Sequence, residues 1–324
     1  MEVLKEYSQA LEKQLQTAVG VKEPVQLYEP IHYIISLGGK RLRPILTLLT
    51  CDFFGTDFNK AMNAALAIEL FHNFSLIHDD IMDDAPLRRS KQTVHEKWDL
   101  NTGILSGDAM LILAYQLFEE YEAPLFQELA KLFSKTALEV CEGQQYDVDF
   151  ETRDDVTLSE YIQMIDYKTA VLLGAAMKMG AIVANASEGC KDAIYAFGRN
   201  LGIAFQLQDD YLDVFGNPKT FGKQPGGDII TNKKTFLYLT AVSLSVASEA
   251  EALQHLYSIS PADPSDKIET VKGIFEISGA AEAIQKEIEI YTNKAYEVLE
   301  TIQLSEEKKQ TLRAFGDWLM QRTV

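Results

Sequence analysis

Two short segments concentrate carboxylates at a spacing that suits metal binding. HDDIMDDAPLRR, from His78 to Arg89, carries Asp79, Asp80, Asp83 and Asp84, and QLQDDYLDVFGNP carries Asp209, Asp210 and Asp213. Both contain DDxxD. Both stand where a helix should end, the first ahead of Pro86 and the second ahead of Gly216 and Pro218. This placement works against stability. A carboxylate at a helix C-terminus opposes the macrodipole by about 0.3–1 kcal/mol. Like charges four residues apart, such as Asp79/Asp83 and Asp209/Asp213, cost about 0.2–0.5 kcal/mol more per pair. One such cluster reads as a solvated acidic helix end; two at the same spacing and placement point to ligation. Oxygen-only ligands select hard cations, Mg²⁺ first, and Mg²⁺ usually joins one or two carboxylates to substrate phosphates. A phosphorylated substrate is therefore expected.

Helical spacing extends both sites. His72, Asp79 and Asp83 fall on one helix face, as do Gln206, Asp209 and Asp213. An acidic protein that binds phosphates must gather its few cations, and three places do so. GGKRLRP supplies Lys40, Arg41 and Arg43 after paired glycines that allow close backbone approach. Arg88 and Arg89 follow the first aspartates. FGKQPGGDIITNKKT, after the second cluster, supplies Lys223, Lys233 and Lys234 around Asp228. Guanidinium groups suit bidentate phosphate contact, so this pattern points to diphosphate recognition. Arg41 and Lys234 read equally well as ordinary solvated side chains. Dinucleotide and Walker-type glycine loops are absent from the sequence, as are GxSxG and HExxH.

The elements that must position these residues read as helices. Apolar residues recur every three or four positions in 3–18, 61–84, 105–121, 126–145, 158–183, 192–215, 234–257, 267–288 and 290–303. Leu66, Leu70, Phe74, Ile77 and Ile81 make one apolar stripe. Prolines, Pro30 among them, mostly punctuate these segments, and Pro44 suits the first turn of a helix. Period-2 strand patterns are scarce. The clearest loops are 216–232 and 258–266. No repeat or composition shift marks a boundary, so one large all-α domain over residues 1–324 is expected. Its 324 residues carry a net charge of −18, which argues against a nucleic-acid or anionic-membrane partner. The longest apolar stretch, Thr235 to Ser248, is shorter than the roughly 18–20 residues of a membrane span. The N-terminal residues lack an apolar signal core. Cys51, Cys141 and Cys190 fit neither a disulfide framework nor a metal knuckle, so a reduced, cytoplasmic chain is expected.

GGKRLRP, SLIHDDIMDDAPLRR, FQLQDDYLDVFG and GKQPGGDI…KKT, in that order between residues 38 and 235, resemble the polyprenyl synthetase family, the trans-isoprenyl diphosphate synthases. The resemblance implies an all-α bundle around a deep central cavity, usually a homodimer. It implies head-to-tail joining of isopentenyl diphosphate to an allylic diphosphate, with loss of diphosphate. It assigns Asp79, Asp80, Asp83, Asp209, Asp210 and Asp213 to about three Mg²⁺ ions. Arg88, Lys168, Lys223 and Lys233 become partners of the allylic diphosphate, and Lys40, Arg43, His72 and Arg89 those of isopentenyl diphosphate. Lys168 and Thr169 of DYKTA, with Gln206, would flank the allylic carbon; alone, DYKTA reads as unremarkable helix. Phe74 and Ser75 lie five and four residues before Asp79, where a bulky residue forms a floor for the growing chain. Their pattern resembles the geranylgeranyl type, with farnesyl the second expectation, although Phe74 also fits the apolar stripe. A terpene cyclase usually carries a different second metal motif and does not need GGKRLRP. A non-catalytic partner subunit typically loses aspartates that this chain keeps. Asn217 stands where the family commonly has Asp, and Asn232 where it commonly has Gly.

Overall fold

Helix forms nearly everywhere the apolar spacing requires it. The computed structural model describes residues 3–216 and 226–321, and among them strand is confined to Leu87–Arg88 and Lys91–Gln92. The all-α expectation holds. Lys223 and Asn217 lie outside the described residues.

The helices differ from the sequence reading in places that have local causes. Pro30 does not punctuate; it lies inside the helix Val25–Ser36, which starts after Pro24. Pro44 does sit in the first turn of Leu42–Phe53. The segment 234–257 breaks at Ser245 and Val246, which have extended backbone, into Phe236–Leu244 and Ala247–Leu256. The next break falls at Gly279, whose φ of 83° starts the long helix Ala280–Thr301. A last helix, Glu306–Met320, is capped by Ser305, whose side chain accepts from the Lys308 amide.

The chain divides into two compact units, Met1–Lys135 with Ala175–Asp192, and Thr136–Gly174 with Ala193–Val324. No composition shift marks the division, because its points fall inside the helices Ala123–Thr152, Val171–Val183 and Glu188–Phe215.

In the first unit, the helix Met62–Met82 packs along Leu100–Phe118. Small residues permit the approach: a side chain at Gly107 would meet His78 Nε2 at 2.3 Å. Below, Phe133 receives Phe71, Tyr115 and Phe118 edge-on at 5.2, 4.8 and 5.2 Å. Phe71, Phe118 and Phe133, with Leu46, Leu49 and Ile68, are the buried centre. The second unit packs Leu207, Leu237, Leu253, Val271, Phe275 and Ile284 into another core. Within it, residues Asp166–Ala170, the DYKTA segment, depart from α geometry into a π-helical turn. Helical glycines press on this turn from two sides. A Cβ at Gly143 would lie 2.3 Å from the Lys168 amide nitrogen, and one at Gly202 would lie 2.6 Å from Ala170 Cα.

Candidate active site

The first aspartate cluster sits at the end of Met62–Met82. Asp83 caps the helix, and Asp84 takes a left-handed backbone with φ 48°. The amides of Asp83, Asp84 and Ala85 return to the carbonyls of Asp79, Ile81 and Asp80 at 2.9, 3.3 and 2.9 Å. The helix thus closes terminal carbonyls with its own backbone. Asp79 is half-buried and Asp83 exposed, and with His72 they share the face their spacing predicted. Asp80 points elsewhere. It is 1% exposed and clasped by Arg88, which donates from Nε to both carboxylate oxygens at 2.9 and 2.8 Å and from Nη2 at 2.7 Å.

The hairpin of the two short strands holds that arginine. Leu87 pairs with Gln92 and Arg88 with Lys91, leaving Arg89 and Ser90 as a two-residue turn. Both have positive φ, 52° and 61°, as a type I′ turn demands. A left-handed arginine carries backbone strain of order 1 kcal/mol, and such strain concentrates at functional sites. The strain aims Arg89 at the paired glycines, where its Nη1 donates to the Gly38 carbonyl. Gly39 has φ 134°, and a side chain there would meet Arg89 Nη2 at 2.7 Å. The backbone angle alone requires glycine, since the Arg89 side chain could move aside.

Beside this lies Arg43. Burial lowers its guanidinium pKa, against the attraction of Glu69. Its Nη1 donates to His72 Nε2 at 3.3 Å, and its buried Nε lacks a partner. Because arginine can only donate, His72 must accept at Nε2 and carry its proton on Nδ1. Burial, then Arg43, Arg89, Arg88 and Arg41, push His72 well below the ordinary histidine range, so it is neutral. Neutral His72, Arg43 with its unused Nε and the neighbouring Arg89 can together cradle an anion; Lys40, earlier in the same motif, is exposed. Arg41, by contrast, is not a solvated side chain. It is 5% exposed and donates to Glu69 at 2.5 Å and to the Ile35 carbonyl, locking the start of Leu42–Phe53 to the aspartate helix.

The second unit carries the other cluster on Glu188–Phe215. Asp209 and Asp213 are half-buried, and an Asp213 oxygen accepts from the Asp228 amide at 2.9 Å. Asp210 is again the inward member, 4% exposed. It accepts from Tyr161 Oη and from Gln206 Nε2, the latter at 3.2 Å. Burial and neighbouring Asp228 raise its pKa well above the ordinary carboxylate range despite those two donors.

A cavity of about 120 Å³ opens here, its walls including Lys168, Thr169, Gln206, Asp210, Asp228 and Lys233. The π turn presents Lys168 and Thr169 to it. Lys168 Nζ donates to Asp147 at 2.6 Å, and Thr169 Oγ1 donates to Gln206 Oε1 at 3.2 Å. Thr169, Gln206, Asp210 and Tyr161 therefore form one hydrogen-bonded chain. Lys234, which also lines the cavity, is not solvated either; it is tied to the Arg153 carbonyl and, at 2.8 Å, to Asp154. Asn232 has φ 59°, a left-handed backbone that asparagine tolerates and glycine adopts freely.

Sequence reasoning missed Asp147 and Tyr161. Asp147 lies among other acidic residues at no telling spacing. Tyr161 is one of 14 tyrosines, and only burial against Asp210 distinguishes it. The π turn was equally hidden; glycines inside two long helices were its one sequence hint. Phe74 packs at a tilt against Phe71 and edge-on against His78, at centroid distances of 5.5 and 4.8 Å, and the Ser75 hydroxyl donates to the His72 carbonyl at 2.9 Å.

In each cluster, the donor set is carboxylate oxygen at the end of a helix, with one member turned inward and two on a shared face. That chemistry fits a hard divalent ion. Among the described residues, no helix is long and apolar enough to cross a membrane.

Comparison with known proteins adds a consistent picture. Residues 24–274 match the polyprenyl synthetase family. Geranylgeranyl pyrophosphate synthase of Geoglobus acetivorans is 33% identical over 324 residues, covering 99% of this chain and 98% of that protein. Geranylfarnesyl diphosphate synthase of Natronomonas pharaonis is 34% identical, covering 94% of this chain and 92% of that one. A crystal structure of a geranylgeranyl pyrophosphate synthase superposes with a TM-score of 0.95 at 53% identity, covering 98% of each chain.

Proposed function

This chain belongs to the polyprenyl synthetase family, and on that premise we propose that it condenses isopentenyl diphosphate head to tail with allylic diphosphates, giving a short all-trans prenyl diphosphate, geranylgeranyl first. The observation that carries the reading is the anion cradle of Arg43, His72 and Arg89, built in the same unit as Asp79 and Asp83. A protein that only held metal, or that only ionised one diphosphate, has no use for it.

Asp79, Asp83, Asp209 and Asp213 would hold about three Mg²⁺ ions. When bound, those ions supply positive charge against the departing diphosphate. Asp80 and Asp210, expected as ligands from sequence, serve in this reading to orient Arg88 and the Gln206–Tyr161 pair. Arg88, Lys168 and Lys233 hold the allylic diphosphate, with Lys223 as a further partner. Lys40, Arg43, His72 and Arg89 hold isopentenyl diphosphate so that its double bond meets the allylic carbon as the C–O bond breaks. Thr169 and Gln206, fixed by their mutual hydrogen bond, offer oxygen dipoles to the allylic cation. The proton lost after C–C bond formation goes to the released diphosphate. Phe74 sets the floor for the growing chain. Exposed Leu100, Ile104, Leu105 and Ile112 on one helix support homodimer formation.

The test incubates pure protein with Mg²⁺, isopentenyl diphosphate and dimethylallyl, geranyl or farnesyl diphosphate in turn, and separates products by chain length. Elongation to geranylgeranyl diphosphate is expected; no elongation from any starter sinks the proposal. Asp79→Ala and Asp209→Ala should each lose most of the activity, and a fully active variant removes that residue's metal role.

A further inference from the structure

At the end of the first aspartate cluster lies a group of side chains to which the proposed condensation assigns no role. Ligand atoms of Asp84, His95 and Glu96 all lie within 4.8 Å of one another. His95 Nε2 and Glu96 Oε1 are 3.9 Å apart. The segment that brings them together is well built. Thr93 Oγ1 donates to the Ala85 carbonyl at 2.8 Å, and the Thr93 amide donates to the Pro86 carbonyl at 3.2 Å. These bonds hold the short helix Val94–Lys97 against the end of the aspartate helix.

An acidic pair alone would mean little. The histidine is the independent observation. Its side chain is 9% exposed, and neither Nδ1 nor Nε2 has a hydrogen-bond partner. A buried imidazole must satisfy one donor and one acceptor, and a buried polar group left unmatched costs about 1–3 kcal/mol. Exposed Asp84 and Glu96 stand next to it, too far from its nitrogens to bond directly. An ion between them removes the discrepancy.

We propose that Asp84, His95 and Glu96 form a structural site for a borderline transition-metal dication, Zn²⁺ above all, distinct from the oxygen-only Mg²⁺ ligands. Zinc accepts imidazole nitrogen at about 2.0–2.1 Å and carboxylate oxygen at about 2.0–2.2 Å. Tetrahedral ligands at those lengths stand roughly 3.3–3.5 Å apart. The three ligand atoms, within 4.8 Å of one another, therefore need to close by up to about 1.5 Å, which rotation of two exposed carboxylates provides; water completes the fourth position. The ion would staple Asp84 to Val94–Lys97 across the base of the hairpin that carries Arg88 and Arg89. It would hold those arginines without taking part in the chemistry.

The experiment is calorimetric titration of the metal-free full chain with Zn²⁺ at neutral pH, alongside Asp84→Asn and Glu96→Gln. Both changed residues are exposed, so the fold is retained. Asp79, Asp80, Asp83, Asp209, Asp210 and Asp213 remain in every variant, so the difference isolates this site. One Zn²⁺ binding event per chain should weaken at least tenfold in each variant. The ¹⁵N resonances of the His95 imidazole, assigned by their loss in His95→Gln, should move as the first equivalent is added. Identical isotherms in all three proteins, or unmoved His95 resonances, would overturn the site and leave an ordered water as the partner of His95.

Discussion

Replacing Gly143 with alanine adds one methyl group at the point where the helix Ala123–Thr152 touches the π turn. The new Cβ would lie 2.3 Å from the Lys168 amide nitrogen, 2.7 Å from the Tyr167 carbonyl carbon and 2.8 Å from Lys168 Cα. All three are backbone atoms, so no side chain can swing aside. Ordinary contact begins near 3.4 Å, so the turn and the helix must part by about 1 Å. Overpacking of this kind costs about 1–3 kcal/mol. The same shift stretches the 2.6 Å bond from Lys168 to Asp147 and displaces Thr169 from Gln206. A misplacement of about 1 Å at reacting groups costs on the order of a hundredfold in rate. Gly143→Ala should therefore lower the apparent Tm by several degrees and kcat by ten- to a hundredfold. Gly189→Ala is the control: nothing lies within 4 Å of its Cβ, and alanine is the better helix former. Its Tm should hold or rise, with kcat unchanged. The assays are scanning fluorimetry and steady-state condensation rates with saturating Mg²⁺. Wild-type Tm and kcat in Gly143→Ala would refute the claim that the π turn is held by that contact.

Three further outcomes are expected. Arg88→Ala leaves Asp80 buried at 1% exposure without its partner and should cost about 3 kcal/mol by denaturant titration; Asp80→Ala/Arg88→Ala should recover most of that stability, and purely additive losses would show that the two are not coupled. His72 stays neutral in the folded chain while its unfolded form protonates below about pH 6.5, so the unfolded state binds the extra proton and stability falls as pH drops through that range. His72→Gln should flatten this acid-side slope by up to about 1.4 kcal/mol per pH unit, read from Tm between pH 7 and 5; an unchanged slope would place its titration elsewhere. Phe74→Ala should lengthen the prenyl product, and chromatography showing unchanged lengths would remove Phe74 as the floor.

What was legible in the sequence was what local rules govern. Helix periodicity follows from burying one face, so most of the long helices were legible in the sequence, while Val25–Ser36, Leu42–Phe53 and Glu306–Met320 were not among the periodic segments. DDxxD twice, GGKRLRP and the paired arginines were legible for a related reason: their residue types are unfavourable or unusual where they stand, and ligand chemistry explains them. Breaks such as Gly279 depended on single backbone angles, and periodicity averages over those. Pro30 misled because a first-turn or mid-helix proline is decided by what surrounds the missing N–H.

Within each aspartate cluster, the sequence determined the spacing and the shared face of Asp79 with Asp83 and of Asp209 with Asp213. It could not distinguish Asp80 or Asp210 as the inward members, because that depends on which neighbour, Arg88 or Tyr161, fills the space beside them. Nor could it tell that Arg41 is locked to Glu69 while Arg43 keeps a donor unused, two residues apart in one motif. Tertiary structure made those decisions, because burial turns a charge into a liability that only a positioned partner can remove. The π turn is the clearest case. Its five residues are ordinary helix formers, and the close approach of Gly143 and Gly202 gives them their shape.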